Sequence, residues 1–229
     1  MYHSKSRSTK TLSPLDGIKS TSSSKPKPSQ PVHYKINPTF WKRNYEISGT
    51  HPIFVENSTM TPGKPDLTFH AGDSHGPVLG VARYRHFSSD IEIGLSDHPS
   101  SNPGPSMRWQ SLHRDGLSQS RYRFTTDMGN GRLESFTWRA THPISLTRDG
   151  SMELLHDSTH TVAATFSSKY SMRHTEQSLK VYPGLGGDIP LLALVTALTL
   201  YEKMRRRKAA TSAATGAGVG AGAGAGAGA

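Results

Sequence analysis

The sequence predicts a mainly β protein, an antiparallel β-barrel that encloses a hydrophobic C-terminal α-helix. Three observations predict it. The middle of the chain is a series of short alternating segments separated by turn residues. One long apolar run, Ile189 to Leu200, follows them. That run is apolar on every side of a helix, because Leu191, Leu192, Leu194, Val195, Leu198 and Leu200 project in all directions, so it must be surrounded. A closed sheet around the helix satisfies both demands and removes exposed sheet edges.

The segments follow in order. Pro65 to His70 alternates and breaks at Ala71-Gly72-Asp73, and Pro77 to Tyr84 is its partner. Asp90 to Leu95 puts Ile91, Ile93 and Leu95 on one face, and Met107 to Leu112 puts Met107, Trp109 and Ser111 on one side. Arg121 to Thr125 and Leu133 to Arg139 alternate apolar with polar around a Met128-Gly129-Asn130-Gly131 hairpin turn. Met152 to Leu155 and Thr161 to Phe166 flank a turn at His156-Asp157-Ser158-Thr159, and Ser178 to Tyr182 is a last short strand. Many short strands at regular spacing read as a sandwich or barrel.

Asp188 suits an N-cap for the helix, and Pro190 sits in its first turn, where a missing N–H costs little. Arg205 to Lys208 complement the negative pole at its other end. Twelve apolar residues rise roughly 18 Å as a helix, against a bilayer hydrocarbon thickness of about 30 Å, so burial in protein is the better reading.

Three regions are expected. Residues 1–36 form a disordered basic tail rich in Ser, Lys and Pro; 37–208 form the barrel domain with its central helix at about 189–208; 209–229 form a Gly/Ala low-complexity tail. The net charge of +10 is unevenly placed. Residues 1–36 carry +6 and residues 201–208 carry +4, while 37–200 hold fifteen charges of each sign. A neutral body with cationic extremities favours flexible electrostatic contacts over a built-in basic groove.

The order and texture of several segments resemble the tubby C-terminal-like superfamily, most nearly its LURP-one-related branch and the fungal members of that branch. The features are Phe136-Thr137-Trp138-Arg139-Ala140-Thr141-His142, then Leu154-Leu155-His156-Asp157 turning into Thr161 to Phe166, a strand at Leu179 to Tyr182, and the helix from Leu191 to Lys203. The likeness is best over about 130–208. It implies a roughly twelve-stranded barrel threaded by a hydrophobic C-terminal helix. Related barrels include phosphoinositide-binding tubby proteins and phospholipid scramblases. No phosphoinositide-contacting residue of tubby aligns here, so none is carried over.

Motifs for chemistry are sparse. The chain lacks cysteine, which excludes disulfides, thiolate catalysis and cysteine zinc sites. His156 and His160 have a four-residue spacing but bracket a turn, as His70 and His75 do, and both pairs read as solvent-exposed turns rather than metal ligands. Asp90 and Glu92 read as a solvated face. Gly184-Leu185-Gly186-Gly187 reads as a tight lead into the helix rather than a nucleotide fingerprint, and neither a P-loop nor a Gly-x-Ser-x-Gly elbow occurs. Alternation sends Tyr122, Phe124 and Trp138 to the core and Arg121, Arg123 and Arg139 to water.

No catalytic residue, metal ligand or cofactor is expected, and the chain reads as a non-enzymatic binding protein. Its candidate anion-binding residues are Lys203, Arg205, Arg206, Arg207 and Lys208, with anionic phospholipid at a membrane surface as the partner. A nuclear, nucleic-acid-associated role through the same cations is the first alternative, and a scramblase-like membrane role the second. With no secretory signal in the sequence, the expected address is intracellular, cytoplasmic or peripheral to a membrane, with the nucleus as the alternative.

Overall fold

The computed structural model describes residues 30–39, 44–58, 61–85, 88–100, 107–116, 121–128, 131–142, 150–170 and 175–218. Twelve antiparallel strands close into a barrel around one helix. The strands are β1 (Val32–Pro38), β2 (Tyr45–Ser48), β3 (Ile53–Asn57), β4 (Leu67–Ala71), β5 (Val78–Tyr84), β6 (Ile91–Ser100), β7 (Met107–Arg114), β8 (Arg121–Asp127), β9 (Leu133–His142), β10 (Gly150–His156), β11 (Thr161–Tyr170) and β12 (Thr175–Val181). The helix, α1, spans Ile189–Gly218.

Each strand pairs with its neighbours in sequence, and β1 closes the ring by pairing with both β2 and β12, as in Tyr34↔Leu179 and Ile36↔Ile47. Period-two alternation then fixes what lies inside. Phe124, Phe136, Trp138, Leu154, Phe166 and Leu179 are essentially inaccessible, as the alternation of their strands predicts. A ring of twelve strands is wider than its own side chains can fill, and the helix occupies the lumen.

From Leu192 to Tyr201 every helix residue is at most 4% exposed. Contacts reach it from several sides of the ring. Trp138 on β9 donates Nε1–H to Thr196 Oγ1 at 2.9 Å, and the Phe166 ring on β11 lies 5.6 Å from that of Tyr201. On β5, Tyr84 donates its hydroxyl to the Thr199 carbonyl at 2.8 Å. Gly80 on the same strand faces the helix, where a Cβ would stand 3.1 Å from the Leu95 side chain and 3.4 Å from that of Val195. The two helical threonines, which weaken an apolar run, are satisfied internally: Thr196 donates to the Leu192 carbonyl and Thr199 to that of Val195.

The Gly184–Gly187 segment is the expected tight lead, with φ of 104° at Gly184 and 68° at Gly187. The Asp188 carbonyl accepts the first helical hydrogen bond, from Leu192 N–H at 2.8 Å, as an N-cap residue does.

Four placements differ from the sequence reading. Strand β1 draws Val32 to Ile36 out of the expected tail, because Tyr34 and Ile36 point inward and close the ring. Helix α1 runs beyond Lys208 to Gly218 through a segment rich in alanine, the best helix former. The third is His156, which is buried rather than exposed, on the inner face opposite Phe136, and the fourth is His70, which is buried on β4 rather than exposed in a turn. The Met107–Trp109–Ser111 side, one face as expected, points outward: Leu112 lies opposite inward Ile91, and Trp109 is 45% exposed over Gly94, beneath the Arg83 guanidinium at 4.8 Å. Residues 1–29 and 219–229, the bulk of the two expected tails, lie outside the described residues.

Candidate functional site

The five candidate cations leave the barrel together where the helix exits. At that end stand the first residues of β2, β4, β6 and β8 and the last of β3, β5 and β7. The structure divides the cations into two groups.

Arg205 is held by Glu202 of the same helix, and Arg206 by Glu202 and by the barrel. Glu202, one turn earlier, is fully buried at 0% exposure. Its carboxylate accepts the Tyr45 hydroxyl and three contacts from Arg205: Nε to both oxygens at 3.1 Å and Nη2 to Oε2 at 2.9 Å. Arg206 Nε lies 3.5 Å from the same Oε2. Arg206 also donates to Asp66 at 3.3 Å and to Asn57 Oδ1 at 3.1 Å, and its guanidinium lies 4.6 Å from the Tyr84 ring centre. Burial pushes the Tyr84 phenol well above its ordinary pKa, against the opposing charge of Arg206. A buried carboxylate demands such partners, and the i,i+3 and i,i+4 spacing supplies them.

Lys203 and Arg207, one turn apart, face the other way. Lys203 lies 5.3 Å from the Tyr122 ring centre and donates to the Ser89 carbonyl. Its pKa is pushed down to about 8, by burial first and then by the charge of Arg207, with Arg114 adding to the effect and Asp90 opposing it. Asp90 meets His113 Nδ1 at 3.0 Å and accepts the Arg114 backbone N–H at 3.4 Å. Arg207 is exposed, and partial burial lowers the Lys208 pKa. This rim therefore gathers cations that repel one another, an arrangement that an added anion relieves.

At the opposite end the sequence reading missed a polar constellation. His156 stacks on Phe136 at 4.9 Å and bonds Glu134 Oε2 through Nε2 at 3.0 Å and Thr159 Oγ1 through Nδ1 at 2.8 Å. Ser158 Oγ joins both Glu134, at 3.3 Å, and His156 Nε2, at 3.2 Å. The His156 bond, aided by Arg132, holds the Glu134 carboxyl below its usual range against the opposing effect of burial. The group ties β9 to the β10–β11 turn, where His160 adopts a φ of 56°. Its sequence signal was Glu134, a charged residue on the inward register of β9.

The solvated-face readings are matched by ion pairs: Arg123 with Asp157 at 2.9 Å, Arg139 with Glu153 at 3.0 Å, and Arg85 with Glu92. Among the described residues no group of three or more His, Asp or Glu is arranged to hold a metal ion. Among them, too, no helix is long and apolar enough to cross a membrane. No family model, curated protein or solved structure matches this chain.

Proposed function

We propose that this chain is a non-enzymatic, tubby-like binding protein that associates reversibly with anionic phospholipid through the rim where its helix leaves the barrel. The observation that carries the reading is the cluster at the helix exit, where Lys203, packed on Tyr122, stands beside exposed Arg207, whose charge together with burial drives the Lys203 pKa down to about 8. A phosphate group beside it relieves the repulsion. Lys203, Arg207 and Lys208 would each contribute about 1 kcal/mol near an anionic surface. Arg205 neutralises Glu202 within the helix, Arg206 ties the helix to Asp66 and Asn57, and both contribute charge only at longer range.

The nuclear alternative needs Arg205 to Lys208 as an accessible basic run, and the engagement of Arg205 and Arg206 weighs against it. Vesicle sedimentation tests the lipid reading. The chain should pellet with phosphatidylcholine vesicles doped with a phosphoinositide and not with undoped ones, and added salt should release it. The Arg207→Glu, Lys208→Glu variant should lose the interaction. Equal pelleting with both kinds of vesicle, indifferent to salt, sinks the reading.

A further inference from the structure

A second site lies on the outer face of β3 and β4, beside the helix-exit rim on the side of Asn57, whose amide oxygen accepts from Arg206. A cavity of about 600 Å³ opens there, lined among others by Asn44, Phe54, Glu56, Ser58, Thr61 and His75. Its size falls within the range of small-molecule pockets. Phe54 and Glu56 alternate with buried Ile53 and Val55 and so point outward into it.

Behind Glu56 stands His70, the cross-strand neighbour of Phe54. His70 points outward, yet its side chain is only 10% exposed. Its Nδ1 lies 3.0 Å from the Gly76 carbonyl, an acceptor only, so Nδ1 carries the proton. In the neutral ring Nε2 is then a bare lone pair. It is buried with no hydrogen-bond partner, and it faces Glu56 Oε2 across 4.0 Å. Two acceptors therefore confront one another with no donor between them, which is costly for a buried group.

The charge of the site narrows the ligand. Glu56 is matched by Lys64 Nζ at 3.3 Å and accepts the Ser58 hydroxyl at 2.9 Å. Burial raises its carboxyl pKa, but these two contacts, with the charge of Lys64 and of a protonated His70, hold it below the ordinary range. With that charge compensated, the cavity has no surplus to attract an ion. A divalent cation is also disfavoured, since no third His, Asp or Glu among the described residues joins the pair. What remains is an aromatic face, neutral amide and hydroxyl groups, and two acceptors side by side. A vicinal diol presents two O–H donors side by side, the complement of that pair.

We propose that this cavity binds a small uncharged polyhydroxylated molecule, a sugar or cyclitol, with adjacent hydroxyls donating to Glu56 and His70 and its C–H face on the Phe54 ring. The Glu56 side chain is 38% exposed, so its carboxylate can turn toward a ligand and uncover Nε2. This site is independent of the phospholipid reading.

Imidazole ¹⁵N resonances of the full chain, titrated with myo-inositol and with glucose, test the proposal. The His70 Nε2 resonance should shift saturably with at least one polyol in the millimolar range. Glu56→Gln should weaken that binding about tenfold, since a hydrogen bond to a charged acceptor is lost. Phe54→Ala should abolish it, and if that variant fails to fold, Glu56→Gln alone decides. Arg207→Glu should leave the titration unchanged, which separates this site from the basic rim. No saturable shift with either polyol, or a shift produced by calcium chloride instead, overturns the assignment.

Discussion

Arg205 looks like a ligand-binding cation in the sequence and a structural one in the fold, and substitution separates the two roles. Glu202 is wholly buried, and Arg205 supplies its closest charged contacts, at 2.9 and 3.1 Å. Removing one partner of a buried ion pair costs about 3–5 kcal/mol, because the other charge is stranded. In Arg205→Ala, Glu202 keeps the Tyr45 hydroxyl and Arg206 at 3.5 Å. The loss should therefore sit at the lower end of that range, about 3 kcal/mol. Tyr45→Phe removes one hydrogen bond to a charged acceptor and should cost about 2 kcal/mol. Adding Glu202→Gln to Arg205→Ala removes the stranded charge, so the double variant should be more stable than Arg205→Ala alone. Arg207→Ala, at an exposed position, should stay within about 0.5 kcal/mol of the parent. Equilibrium unfolding in urea, followed by tryptophan fluorescence, measures all four. An Arg205→Ala chain as stable as Arg207→Ala, with no recovery in the double variant, would refute the assignment.

Other outcomes are equally specific. Thr196→Val leaves the buried Trp138 N–H without its acceptor and should cost about 1–3 kcal/mol in the same urea experiment. Leu198→Ala, at 0% exposure inside the ring, should cost about 2–5 kcal/mol, and a loss well below 1 kcal/mol would mean that the site is not packed. For Lys203 the folded pKa of about 8 lies below the ordinary lysine value of 10.5, so between those values the unfolded chain holds a proton that the folded chain has lost. Stability of the parent relative to Lys203→Met should thus rise as pH climbs from about 8 toward 10.5 and stay flat below 8. A flat difference across the whole interval contradicts the perturbed ammonium.

The legible parts of the sequence were those where one periodicity dominates. Arg121 to Phe124 and Leu133 to Arg139 alternate so cleanly that both strands and both faces follow. The all-round apolar character of Leu191 to Leu200 required an enclosure, and the ring supplies it. β2 and β3 were hidden because they are short, with four and five residues, and β1 because it emerges from a Ser/Lys/Pro-rich segment that dilutes its pattern.

Trp109 looked the same in sequence whether it faced in or out. What places it outside is Gly94, which leaves a bare floor for the ring, and that contact spans two strands. At the rim, the i,i+3 and i,i+4 spacing of Glu202 to Arg205 and Arg206 was readable, but the burial that turns it into an anchor depends on Tyr45, 157 residues away in sequence. His70 and Glu56 come together only through the β3–β4 register.

The central physical claim is that the chain's own sheet sheathes the segment Leu192 to Tyr201. Native-state hydrogen exchange tests it most directly. If the ring encloses the helix, these amides exchange only through global unfolding, with the same free energy and denaturant dependence as the amides of Phe136 and Phe166. Exchange through a smaller local opening, while the β9 and β11 amides stay protected, would show a helix that leaves the barrel without unfolding it and would contradict the architecture.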